Sequence, residues 1–158
     1  MSDDSFTTTF VVDRTPAEVF SAVTDVRGWW SRDIEGPTDR PGAEFTYHYQ
    51  DIHRCRMRIV EFVPDQRIVW HCLENHFNFT DDKTEWTGTR ISFDISREDE
   101  GTRLRFTHHG LTSDYECYDV CRTAWGGYVT ESLRTLILTG NGDRDNEVRN
   151  AKALSQHR

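Results

Sequence analysis

Polar and apolar residues alternate from the start of the chain. Phe6, Thr8, Phe10 and Val12 oppose Thr7, Thr9 and Val11, which predicts a β-strand with one apolar side. The same period of two returns five times. Phe45, Tyr47 and Tyr49 alternate with Thr46, His48 and Gln50, and Cys55, Met57 and Ile59 with Arg54, Arg56 and Arg58. After the turn Pro64-Asp65-Gln66, Ile68, Trp70 and Cys72 oppose Val69, His71 and Leu73. Residues 85–97 carry Ile91, Phe93 and Ile95 inward, and residues 102–109 carry Leu104, Phe106 and His108. Each strand keeps one polar or mixed face, as in an antiparallel sheet covered mainly on one side.

Two stretches follow a helical period instead. Thr15-Pro16-Ala17-Glu18 combines a capping box with a proline at the first helical position, and predicts a short helix through Val19, Phe20 and Val23. Arg27-Gly28-Trp29-Trp30 breaks it and begins a second short helix to about Arg32. Of the adjacent tryptophans, one is expected in the core and the other at a cavity mouth or the surface. Residues 113–140 read as one long helix. Ser113 and Glu116 form a capping box, Cys117, Cys121, Trp125, Tyr128, Val129, Ser132, Leu133 and Leu136 form one stripe, and Gly140 ends it. Gly126-Gly127 at its centre costs about 1 kcal/mol per residue against alanine, which implies a kink or a close approach.

The predicted order is strand, two short helices, five strands and a long helix. This is an α+β domain: a curved antiparallel sheet of about six strands, wrapped around a long C-terminal helix. A helix cannot fill a curved sheet completely, so a cavity between the two is expected. Residues 1–142 make the single domain and 143–158 a polar, mobile tail. The segment 74–83, with Phe77 and Phe79, reads as a loop over the cavity entrance.

Composition narrows the function. A formal charge of −8 over 158 residues argues against nucleic acid or an anionic membrane as partner, and makes Arg54, Arg56 and Arg58 a solvated face. No apolar run is long enough to span a bilayer, and the acidic N-terminus has no apolar signal core; both point to the cytoplasm. The four cysteines, Cys55, Cys72, Cys117 and Cys121, sit in patterned segments and are read as reduced, buried thiols. Cys117 and Cys121 share a helical face, yet without CxxC or HExxH spacing no metal is assigned, and no cofactor.

An ordered set of motifs carries a family resemblance over residues 6–140. Thr15-Pro16-Ala17-Glu18-Val19-Phe20 and Gly28-Trp29-Trp30 come first, then Ile59-Val60-Glu61-Phe62-Val63-Pro64 with Arg67-Ile68-Val69-Trp70. Glu85-Trp86-Thr87-Gly88-Thr89, Phe106-Thr107-His108-His109-Gly110-Leu111 and Trp125-Gly126-Gly127-Tyr128 complete it. The set resembles the SRPBCC (START-like, helix-grip, Bet v 1-like) superfamily, and more narrowly single-domain homologues of the heat-shock protein 90 ATPase activator. The resemblance implies the helix-grip fold. It also brings a range of functions with it: lipid carriage, hormone reception, polyketide cyclisation and stress response.

Reading the inward faces gives a candidate ligand site of Trp30, Phe45, Tyr47, Tyr49, Met57, Trp70, Cys72, Phe93, His108, Cys121, Trp125 and Tyr128. Bulky rings with polar tips on facing walls suit a pocket of about 300–1,000 Å³ better than a dry core. The expected ligand is small and largely apolar (lipid-, sterol- or polyketide/flavonoid-like), oriented by His108 with Tyr47 or Tyr128. The rival expectation is a co-chaperone or stress-response interaction module, with a chaperone or other protein as partner. Cyclase-type catalysis is the weakest, since Glu61 and Asp94 fall on outward phases and no catalytic residue is assigned. His108 is otherwise expected to be a neutral histidine held by a tyrosine or a backbone carbonyl, and His109 to point outward.

Overall fold

The computed structural model describes residues 5–31, 34–49, 53–77, 86–112 and 118–140. Seven strands form one antiparallel sheet: β1 (Phe6–Val12), β2 (Ile34–Glu35), β3 (Glu44–Tyr49), β4 (His53–Val63), β5 (Arg67–Phe77), β6 (Arg90–Glu98) and β7 (Gly101–His109). Their order across the sheet is β1-β7-β6-β5-β4-β3-β2, so the first strand pairs with the last and the sheet stays open. Two register shifts in β4, at Arg56/Met57 and Ile59/Glu61, bend it, since a bulge adds local twist and curvature. The result is the curved sheet and C-terminal helix of the helix-grip fold.

The seventh strand, β2, was not expected. It is two residues long, too short for an alternation to be read, and exists because Ile34 and Glu35 pair with Tyr47 and Thr46. Two boundaries also differ. Strand β5 runs on to Phe77, because Asn75, His76 and Phe77 pair with β4 through Cys55, Arg54 and His53. Strand β6 starts only at Arg90, after a turn at residues 86–88.

The helices are α1 (Pro16–Thr24), α2 (Val26–Trp29), α3 (Tyr118–Trp125) and α4 (Arg134–Thr139). The α1 cap is as expected. Thr15 Oγ1 accepts from the Glu18 N–H at 3.1 Å, and Glu18 Oε1 accepts from the Thr15 N–H at 3.2 Å. Thr15→Ala is therefore expected to lower the urea midpoint by the equivalent of about 1 kcal/mol; an unchanged midpoint would mean the box contributes nothing.

Both tryptophans of α2 are buried, at 0% and 1% exposure. Of the two expected places for the second ring, a cavity mouth or the surface, the surface is ruled out because α2 is enclosed on both sides, and Trp30 lines a cavity. The Trp29 ring stacks on Trp70 of β5 at 6.2 Å, and the Trp29 carbonyl accepts from Ser132 Oγ of the C-terminal helix at 2.7 Å. The long helix is itself not uniform. Between α3 and α4, Gly126–Leu133 is π-helical, and Gly140 closes the helix with a left-handed φ of 85°. The glycine pair thus marks a change of helix type. The Thr130 hydroxyl bonds back to the Gly126 carbonyl within it. The Ser113–Glu116 capping box, Cys117, Phe79 and the 143–158 tail lie outside the described residues.

Candidate functional site

The site is the enclosed space where the sheet, α2 and the C-terminal helix meet. Strands β3, β4 and β5 supply Tyr47, His53 and Phe77, the residue that caps α2 is Trp30, and the turn before β6 supplies Trp86. The helix closes it with Cys121, Ala124, Trp125 and Tyr128. The open volume is about 20 Å³, room for about one water molecule. Two larger depressions lie at the surface, one of about 600 Å³ between α1 and α4 and one of about 450 Å³ beside Thr15 and Pro16. Neither gathers rings or buried polar atoms.

Aromatic stacking sets the walls. Trp30 lies on Tyr47 with centroids 4.4 Å apart and planes 17° apart, and Trp86 lies on Trp125 at 5.5 Å and 15°. Trp30 and Trp125 meet at 5.2 Å, joining the two stacks. Behind them, Trp70 stacks on Trp30 at 5.9 Å and takes Phe93 edge-on at 4.8 Å.

The polar atoms divide into a satisfied set and an unsatisfied one. In the satisfied set, the Trp125 indole N–H donates to His108 Nδ1 at 3.1 Å. An indole can only donate, so Nδ1 is an acceptor and the His108 proton sits on Nε2. Nε2–H then donates to Thr89 Oγ1 at 2.8 Å, and the Thr89 hydroxyl donates to the Trp86 carbonyl at 2.6 Å. The relay fixes His108 as a neutral imidazole. Burial, with His109 and His53 adding repulsion, lowers its pKa to about 3. His53 is likewise lowered to about 3 by burial, against an opposing hydrogen bond between Nε2 and Asn75 Oδ1 at 2.8 Å. In the unsatisfied set, Trp30 Nε1, Trp86 Nε1 and Asn75 Nδ2 are buried with no hydrogen-bond partner.

A family model described as activator of Hsp90 ATPase homolog 1-like protein matches residues 13–137. The chain belongs to that family. Solved structures share the fold at low identity. The Aha1 dimer from Colwellia psychrerythraea is 20% identical with a TM-score of 0.69, covering 87% of this chain and 98% of that one. DynU16, a protein of the dynemicin biosynthetic locus, is 18% identical with a TM-score of 0.66; 89% of this chain matches 49% of it. CalU16 from Micromonospora echinospora is 17% identical with a TM-score of 0.60, covering 96% and 83%. No curated protein sequence is significantly similar to the chain.

Within this family fold, Trp30, Tyr47, Cys121, Trp125 and Tyr128 of the predicted set line the cavity. The others do not. Phe45, Met57, Trp70, Cys72 and Phe93 are packed in the core beneath it, Tyr49 is half-buried against the core, and His108 stands behind Trp86 and Trp125. His108 was expected to meet a tyrosine or backbone carbonyl; a threonine hydroxyl and an indole hold it instead. His53, Trp86 and Ala124 were missed, and Phe77, read as part of an entrance loop, lines the cavity from the end of β5. Trp86 and Phe77 lie on either side of a stretch without alternation, and His53 opens a strand whose inward phase was read only from Cys55. One signal was available: His53 is two residues before Cys55 and shares its face.

Burial pushes the Cys72 thiol up to about 12 and the Cys55 thiol well above its ordinary value, and both His108 nitrogens are engaged. Glu61 and Asp94 face outward to Arg67, at 3.6 and 3.5 Å. His109 is half-buried on that outer face, hydrogen-bonded to Ser92 at 2.8 Å. Among the described residues no helix is long and apolar enough to cross a membrane, and no group of three or more His, Cys, Asp or Glu is placed to hold a metal ion.

Proposed function

We propose that this domain binds a small, largely apolar aromatic molecule between its sheet and its C-terminal helix, in the cytoplasm, and acts by sequestering it rather than by transforming it. The observation that carries the reading is the pair of indole N–H groups, on Trp30 and Trp86, left without acceptors in a ring-lined cavity. Leaving such a donor unmade costs about 1–3 kcal/mol, and native interiors rarely do so without a ligand, ion or water in attendance. Burial of the guest against five indole and phenol rings supplies affinity through desolvation.

The cavity of about 20 Å³ is far below the range of about 300–1,000 Å³ in which drug-sized ligands sit. The site therefore widens on binding, and the helix wall is the part built to move. Its π-helical turn is a form found mostly at functional sites, and a Cβ on Gly126 would meet nothing within 4 Å. The same tight interior favours a second reading, in which the family fold serves as a protein-interaction module for a chaperone or other partner.

Titration with fatty-acid, sterol, flavone and naphthalene probes, followed by tryptophan fluorescence and native mass spectrometry, separates the two. Saturable quenching by the aromatic probes is expected, and Ala124→Leu, which fills the cavity from the helix side, should abolish it while leaving the far-ultraviolet spectrum unchanged. No bound mass and no saturable response from any probe would overturn the binding reading and leave the interaction module.

A further inference from the structure

We propose, building on the binding reading above, that the polar group selected by the cavity is an uncharged carbonyl oxygen on a planar aromatic skeleton: an aryl ketone or lactone rather than a carboxylic acid or an amine.

The hydrogen-bond inventory requires an acceptor. Among the described residues, the buried side-chain atoms without partners near the site are all donors: Trp30 Nε1, Trp86 Nε1 and, on the residue bonded to His53, Asn75 Nδ2. Arg67 Nε is the remaining orphan, and it lies on the outer face of the sheet beside Glu61. Trp30 and Trp86 both line the cavity, in different ring stacks that join where Trp30 meets Trp125, so a guest oxygen there lies among residues that each carry an unmet donor. An sp² oxygen has two lone pairs, and can accept from both. A guest amine would bring more donors to a place that already has too many.

Charge excludes the carboxylate. The described residues that line the cavity include no Lys, Arg, Asp or Glu. The basic side chain that is present, His53, is buried and neutral at physiological pH, with a ring nitrogen committed to Asn75. An anion placed there would lose its hydration with no counter-charge, a penalty of several kcal/mol in real proteins. A neutral carbonyl gives up its hydrogen bonds to water and can regain hydrogen bonds from the indoles, with no charge left unpaired. Shape selects planarity. The lining is aromatic, two ring stacks that meet at a tilt of 51°, and a flat aromatic guest can add offset or edge-to-face contacts to them that a sterol-like one cannot.

Three probes of nearly one shape test this on the full-length protein: 2-acetylnaphthalene, 2-ethylnaphthalene and 2-naphthoate. The acetyl compound is expected to bind about tenfold tighter than its ethyl isostere, with naphthoate weakest. In ¹H–¹⁵N spectra the Trp30 and Trp86 indole protons, assigned from Trp30→Phe and Trp86→Phe, should move downfield with the acetyl probe alone. Trp86→Phe removes one donor and part of the ring, so both probes should bind less tightly and the ratio of acetyl to ethyl affinity should shrink. Trp30→Phe provides the same comparison should Trp86→Phe fold poorly, and the wild-type spectra need no variant. Equal binding of acetyl and ethyl probes with unmoved indole protons, or naphthoate binding tightest, would overturn the carbonyl assignment and leave the binding reading standing. Binding of none of the three would overturn both.

Discussion

Taking the protein from pH 7 to pH 5 is expected to remove about 4 kcal/mol of folding stability. His53 and His108 are both held neutral in the folded chain with pKa values lowered to about 3. In the unfolded chain each returns to about 6.5. Between these values the unfolded state binds more protons than the folded one, so stability rises with pH through the window from about 3 to about 6.5 and is level above it. Each pH unit inside the window is worth about 1.4 kcal/mol per histidine. From pH 7 to 5 that comes to about 2 kcal/mol each. Against a typical total of about 5–15 kcal/mol, the loss is large. Urea titrations at pH 7, 6 and 5 check it: the midpoint should fall steeply below pH 6.5, and His53→Gln should roughly halve the slope. A midpoint flat from pH 7 to 5 would mean that the two rings protonate freely in the fold.

Trp125→Ala is expected to cost about 4–6 kcal/mol, the largest effect of any single substitution considered. Removing a buried tryptophan ring costs about 3–5 kcal/mol by lost transfer energy and the cavity left behind. Trp125 is also a junction. Its ring contacts Trp30, Trp86, Phe106 and Tyr128 at centroid distances of 5.2, 5.5, 4.8 and 6.3 Å. Its N–H is the proton that His108 Nδ1 accepts, and an orphaned acceptor adds about 1–3 kcal/mol, partly relieved if water enters the new space. Trp125→Phe separates the two contributions, keeping most of the ring and losing the bond, and should fall between parent and alanine variant. Thermal and urea unfolding of both read this directly. An alanine variant within about 1 kcal/mol of the parent would show that Trp125 is not packed as described.

The fold was legible in the sequence because both periods were clean. Period-two runs from Phe6, Phe45, Cys55, Ile68, Ile91 and Leu104 each became a strand with the expected face inward. Thr15-Pro16-Ala17-Glu18 announced α1 through local bonds alone. The site was less legible, for a physical reason. Alternation tells which face a residue occupies, not how far along the strand the helix lies over it. Phe45, Met57, Trp70 and Phe93 face inward as Tyr47 does, but they are packed in the core and do not line the open space. Trp86 belongs to a turn, where no period exists, and its ring contacts with Trp125, His53, Phe77 and His108 bring it in. The burial of Trp29 beside Trp30 was out of reach for a similar reason: it depends on Ser132, 103 residues away.

The π-helical stretch from Gly126 to Leu133 also bears on how the chain can vary in length. A turn closed by i→i+5 bonds holds one residue more than a turn closed by i→i+4 bonds. The helix above the cavity therefore carries a surplus residue between Trp125 and Leu136, and the surplus is stored where Gly126 has open space around it. Loss of one residue there would tighten the turn to ordinary α-helix and turn the cavity-facing end against the leucine end, with nearly the same number of backbone bonds. Related chains of this fold can thus re-aim one wall of the cavity by a single insertion or deletion, without altering any side chain that lines it.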